Sequence, residues 1–248
     1  MGCRLSSLKK NSSPSALAEL AALGAVARKA AVIELGPMAP TSSADSPGVA
    51  DTGGAPRRFL FFGRVQEYKG VDDLLTAFLA LPGDVAAHLT VAGRCDEPRL
   101  RSRLQALARG GDARIALRLE YVPEEEVAQL LAAADVVVLP FRQVTTSASA
   151  MLALSHRRPL IVPDLPGTAD LPDQAVLRYN GEVPALTAAL ARLARADEKI
   201  LAQMSAAAGN YAFRTTWQQI AEKTMTEMIS VLGSTPDADL RGPPATAA

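Results

Sequence analysis

FLFFGRVQEYKG, residues 59–70, sets four apolar residues against a glycine and two cations. Phe59 to Phe62 show no polar alternation, which reads as a strand covered on both faces. Gly63 and Arg64 follow at once, then Lys69 and Gly70. VDDLLTAFLAL, residues 71–81, repeats its apolar residues at helical spacing. Strand, glycine, cationic loop and helix form the opening half of a βαβ unit.

The same alternation continues outward. Strand-like segments are AHLTVAG (87–93), IALRLEYV (115–122), DVVVLP (135–140), PLIVP (159–163) and AVLRY (175–179). Helix-like segments are EPRLRSRLQALAR, EEEVAQLLAAA, SASAMLALSH, VPALTAALARLAR and one long C-terminal stretch holding Trp217. Strands alternating with helices predict an α/β fold, a doubly wound, Rossmann-like parallel sheet with helices on both faces. The apolar VVVL and LIV fit strands buried on both sides. Residues 57–232 read as one domain.

The ends read differently. Residues 1–56 hold a polar tail, a short helix from Ser15 to Ala30, a strand in AVIELG and a linker from Ala39 to Pro56 rich in Pro, Gly, Ser and Asp. Residues 233–248 read as a loose tail. MGCRLS matches an acylation pattern, with Gly2 and Ser6 in place and Cys3 available. The pattern is short and common, so a plain polar start is the better reading.

Composition narrows the classes of function. Lys plus Arg equals Asp plus Glu at 26 each, so no global charge favours nucleic acid as partner. Hydrophobic residues make up 48% of the 248-residue chain, enough for a sizeable core. No apolar run approaches the ~20 residues of a membrane span. Two cysteines without pairing or CxxC spacing argue against a disulfide scaffold or a zinc site and fit a cytoplasmic location.

Ligands of doubly wound sheets bind beyond the carboxyl ends of the strands. Gly63 and Arg64 lie there. Glycine lets a ligand approach the backbone, arginine offers planar donors to phosphate, and Lys69 adds a compact charge. The alternative is a pair of surface cations neutralised by Glu67, Asp72 or Asp73. A second cluster follows the fourth strand of this block: Thr145, Thr146, Ser147 and Ser149 stand where a helix begins, suited to N-capping or to an anion on free N–H groups. Glu124, Glu125 and Glu126 read as acids complementing a helix dipole, and Asp96 as another acid at a helix start. His88 and His156, the two histidines, have no metal-ligand spacing. Neither a GxGxxG nor a P-loop motif is present.

FFGRVQEYKGVDDLLTAF, TVAG, YVPEEEVAQLLAAADVVVLPF, TTSASAMLALSHRRPLIVPDLPG and WQQIAEK, in that order, resemble the C-terminal domain of GT-B fold glycosyltransferases, family four, which use nucleotide sugars with retention of configuration. AVIELGPMAP is similar to the strand and turn that close the N-terminal domain of that family. The resemblance implies a hexosyltransferase whose substrate is a UDP- or GDP-sugar, with no further cofactor and no metal. Arg64 and Lys69, beside Gly63, would grip the donor diphosphate. Tyr121, Val122 and Pro123 would lie against the base. Thr146, Ser147, Ala148 and Ser149 would form the donor loop. The glutamates that most members carry fall on Val144 and Leu152, and glycines of other members on Ala148 and Arg157. The resemblance places the acceptor site and usual catalytic histidine in an N-terminal domain, for which residues 1–56 are too few. It therefore implies a donor-binding half that assigns no catalytic residue of its own, in the cytoplasm or peripheral at the inner membrane face. The readings are a glycosyltransferase half, a non-catalytic nucleotide-sugar-binding subunit working with a separate acceptor-domain chain, a truncated remnant, or a doubly wound regulatory module that binds no donor.

Overall fold

A computed structural model describes residues 9–11, 30–33, 35–38, 48–49, 54–110 and 112–232. The central sheet has six parallel strands: β3 (Arg57–Phe62), β4 (Ala87–Ala92), β5 (Ile115–Arg118), β6 (Val136–Val138), β7 (Leu160–Pro163) and β8 (Val176–Tyr179), in the order β5-β4-β3-β6-β7-β8. Two short strands, β1 (Lys9–Asn11) and β2 (Ala30–Val32), pair in parallel as a separate sheet. Among the helices are α1 (Val71–Leu79), α2 (Pro98–Ala108), α3 (Glu124–Ala133), α4 (Ala148–Ser155), α5 (Val183–Ala194), α6 (Glu198–Ala212) and α7 (Trp217–Leu232). The predicted doubly wound sheet is present.

FLFF is apolar throughout because its alternate residues feed two cores. Phe59 and Phe61 pack with Leu74, Leu75 and Phe78 of α1 and with Leu100 and Leu104 of α2. Leu60 and Phe62 point to the other face, into a layer holding Leu131 of α3 and Met151 and Leu154 of α4. Val136 and Val138 divide from Val137 in the same way. Strand order reverses between β3 and β6, which is the switch point where such sheets open a crevice at the strand ends.

Two expected elements differ. The strand predicted over 115–122 stops at Arg118, since β5 is an edge strand with alternating partial exposure and its continuation turns out of the sheet. The long C-terminal helix is two helices. Phe213 to Thr216 separate α6 from α7, and Thr216 and Gln219 form a reciprocal cap: Gln219 Oε1 accepts from Thr216 N–H at 2.9 Å, and Thr216 Oγ1 accepts from Gln219 N–H at 3.2 Å.

The segment around Gly36 packs on α7, where Trp217 Nε1 donates to the Pro37 carbonyl at 2.6 Å, and Met38 N–H donates to Ser155 Oγ at 3.2 Å. The helix expected from Ser15, most of the linker, the MGCRLS start and the tail beyond residue 232 lie outside the described residues. Among the described residues no helix is long and apolar enough to cross a membrane.

Candidate functional site

The crevice is built by glycines before any charged side chain enters it. Gly63 follows β3 and Gly93 follows β4, and a Cβ on Gly93 would stand 1.9 Å from the Gly63 carbonyl oxygen. The strand ends can touch only because neither carries a side chain on that side. Gly70 has φ 63°, and a Cβ there would lie 2.1 Å from the Pro140 carbonyl oxygen. The β3–α1 loop is thereby pressed against the loop after β6. The two predicted clusters, far apart in sequence, become neighbours.

Two cavities divide the predicted residues between them. One, of about 400 Å3, is lined by Gly63 and Arg64, by Arg94 and Asp96 after β4, by Tyr121 and Val122 after β5, and by Val127. Tyr121 is 70% exposed, so its ring is free to stack on a ligand. Pro123 stands behind as the residue that opens α3, its carbonyl accepting from Val127 N–H at 3.0 Å. The other cavity, of about 550 Å3, joins Tyr68 and Lys69 to Phe141, Val144 and all of Thr145 to Ser149. Gly63 links the two, because a Cβ there would lie 3.3 Å from Ser149 Oγ.

Arg64 and Lys69 answer the pairing question differently. Arg64 donates from Nη2 to Asp96 Oδ2 at 2.9 Å, so it is paired, though to none of the expected acids. Asp96 itself lies ahead of α2 and outside its first turn. It is not a helix-start acid. It accepts from both Arg94 and Arg64, and the Arg94 hydrogen bond above all holds its carboxyl below the usual range. Glu67 and Asp72 are taken by Arg103, at 2.5 and 3.0 Å. Arg142 takes Asp72 at 2.9 Å and Asp73 at 2.8 Å.

Lys69 is left without a carboxylate among the described residues. It is half-buried rather than a surface cation. Its Nζ lies 4.9 Å from the centre of the Phe141 ring and 5.5 Å from that of Tyr68. Burial pulls its pKa below the ordinary lysine value of 10.5. A desolvated cation over an aromatic face, with no carboxylate partner among the described residues, is chemically suited to attract an anion.

The loop of residues 146–149 supplies the opposite wall. Ser147 caps α4, its Oγ accepting from Ala150 N–H at 3.1 Å. The N–H groups of Ala148 and Ser149 fall in the first turn, where a helix has no internal acceptor for them. Val144 lines the cavity and Leu152 packs into the apolar layer, so the two positions where glutamates were implied are apolar. Arg157, where a glycine was implied, has φ 57°, the left-handed conformation that glycine adopts without strain.

The acids of VPEEE keep their expected place in the first turn of α3, where Glu126 pairs with Arg118. Two arginines of α2 do more than face solvent: Arg101 donates to the Cys95 and Leu119 carbonyls at 2.9 and 2.6 Å, and Arg103 holds Glu67. Among the described residues no three of His, Cys, Asp and Glu gather as a metal site. The sequence reading missed Arg94 and Arg142. For Arg94 a signal exists, since β3 and β4 both end in Gly-Arg.

Comparison with known proteins places this architecture. Residues 56–196, more than half of the chain, match the family model of glycosyl transferases group 1. The chain belongs to that glycosyltransferase family. It is 35% identical over 134 residues to a GDP-mannose:glycolipid 4-beta-D-mannosyltransferase of Xanthomonas campestris pv. campestris, covering 52% of this chain and 38% of the relative. The chain thus spans well under half the length of that relative. Among solved structures, sucrose-phosphate synthase from Thermosynechococcus elongatus superposes with a TM-score of 0.74 at 21% identity, over 91% of this chain and 58% of that one. Anabaena HepE, in complex with UDP and glucose, superposes with a TM-score of 0.71 at 16% identity, over 90% and 63%. These likenesses show the shared fold, an α/β domain of the kind found in GT-B glycosyltransferases.

Proposed function

We propose that the chain is the nucleotide-sugar-binding, C-terminal domain of a GT-B glycosyltransferase, and that its donor is GDP-mannose. One observation carries the reading of the site. The half-buried Lys69 ammonium has no carboxylate partner among the described residues and faces, across one cavity, the hydroxyls and first-turn N–H groups of the donor loop. Arg64 stands on the other side of Gly63. Between them a diphosphate would find two cations and a bare backbone, and the same contacts would stabilise it as a leaving group when the sugar–phosphate bond breaks. Tyr121 and Val122 would hold the base.

The choice of GDP-mannose rests on the Xanthomonas relative, whose name specifies that donor. The family-four resemblance carries retention of configuration at the sugar. Inversion is favoured by one observation, the beta linkage in the relative's name. From an alpha-linked sugar nucleotide a beta product requires inversion. The family resemblance puts the acceptor site and the catalytic histidine in an N-terminal domain, on the same chain or on a partner, and the chain spans 38% of that relative.

Calorimetric titration with GDP-mannose, UDP-glucose, GDP, UDP and mannose tests the donor. GDP-mannose and GDP should bind tightest and free mannose undetectably. Equal binding of every nucleotide, or none at millimolar concentration, would reject the donor-domain reading. Where turnover is seen, the anomeric proton of the product distinguishes retention from inversion.

A further inference from the structure

β3 and β4 pair in parallel with Phe62 opposite Ala92, and each then runs into the same dipeptide, Gly63-Arg64 and Gly93-Arg94. The pairing continues past the glycines. Gly63 N–H donates to the Ala92 carbonyl at 3.0 Å, Val65 N–H donates to the Arg94 carbonyl at 2.9 Å, and Val65 bridges Cys95. Register therefore sets Arg64 and Arg94 at matching positions on neighbouring strands, which lie about 5 Å apart. Both side chains are largely exposed, at 63% and 64%, and both line the cavity of about 400 Å3 that also holds Tyr121.

Two guanidinium groups gathered on one carboxylate repel one another, and the anion between them offsets that repulsion. Here the anion is Asp96, with Oδ1 accepting from Arg94 Nε and Oδ2 from Arg64 Nη2. One carboxylate answers one of the two charges. Each guanidinium carries five N–H donors, and each uses one nitrogen on Asp96, the remaining nitrogens making no hydrogen bond to the described residues. The cluster keeps a net positive charge and unused donors at the mouth of a cavity whose floor is glycine.

We infer that Arg94 is a second donor-phosphate residue beside Arg64, and that Asp96 is the counterion that stands in for the phosphate until it arrives. The inference rests on the proposed donor site. On binding, Arg64 exchanges Asp96 for a phosphate oxygen, while Arg94 keeps Asp96 through Nε and offers its terminal nitrogens to the ligand. Asp96 then lies close to a multiply charged anion and opposes it. Its help in orienting two exposed arginines is the weaker effect, because exposed ion pairs contribute little.

The test is calorimetric titration of wild type, R64A, R94A and D96N with GDP, guanosine and inorganic pyrophosphate. R94A should weaken GDP and pyrophosphate by about 10- to 100-fold, the range of a charge-assisted hydrogen bond, with guanosine unchanged. D96N should tighten both phosphate ligands by about three- to tenfold, and the gain should shrink as salt rises. The thermal midpoint of R94A should match wild type. If R64A weakens GDP and R94A does not, the donor site stands and the role given to Arg94 is overturned. If D96N weakens binding, Asp96 orients rather than opposes, and that part of the inference is overturned. If pyrophosphate binding depends on Arg94 but GDP binds no tighter than pyrophosphate, the arginine pair stands and the nucleotide reading falls. If neither anion binds wild type, both fall.

Discussion

Lys69 owes its state to its neighbours' commitments. Glu67, Asp72 and Asp73 are all within a few residues of it, yet Arg103 and Arg142 hold them. The ammonium is left against Phe141, half-buried, with its pKa lowered by that burial. The consequence for binding has a definite sign. A bound diphosphate favours the charged ammonium, whereas burial alone favours the neutral amine. Affinity should therefore be full at neutral pH and fall as pH rises through the lowered pKa, in a window beginning below the ordinary lysine value of 10.5. In K69R the cation persists, so the decline should vanish. Titrations of GDP across that range check this, and parallel decline in both proteins would assign it to some other group. The folded-state stability runs the opposite way. The buried charge opposes folding below the lowered pKa, and that cost is relieved as pH rises through it.

At the scale of elements, the short turn Glu67–Lys69 and the loop after β6 are tied by Arg142. Its N–H donates to the Tyr68 carbonyl and its Nη1 to the Glu67 carbonyl, each at 2.8 Å, while its other nitrogens hold Asp72 and Asp73. R142A should release Asp73, while Arg103 still holds Asp72, and the freed carboxylate would then compete with phosphate for Lys69. GDP affinity should fall about tenfold, the equivalent of ~1.4 kcal/mol, with guanosine unaffected. Stability should fall modestly, since each exposed ion pair contributes under about 1 kcal/mol. Unchanged GDP binding would show that Arg142 serves the loop alone. The elements were legible where the pattern was strong. FLFF and VVV feed two cores and could be read from their lack of alternation. IALRLEYV was over-extended because apolar content does not reveal that β5 is an edge, and the break before α7 was hidden in continuous helical periodicity, although the Thr216–Gln219 cap in FRTTWQQ marks it.

At the scale of the molecule, function follows from the reversal of strand order between β3 and β6. That reversal opens the crevice, and the strand-end glycines let the walls approach. GRVQEYKG and TTSAS could be read separately as candidate anion-binding stretches, and the fold joins them across one cavity. Arg94 escaped the sequence reading, and Asp96 was read only as a helix-start acid, because their pairing depends on the register between β3 and β4, a relation between distant segments. The proposed donor diphosphate lies in this crevice. Amide chemical-shift mapping during titration with GDP tests it most directly. Shifts should concentrate at Gly63, Arg64 and Lys69 on one wall and at Ala148 and Ser149 on the other, with a second group at Tyr121 and Val122. Shifts gathered away from the β3 and β6 strand ends, or none at saturating GDP, would contradict it.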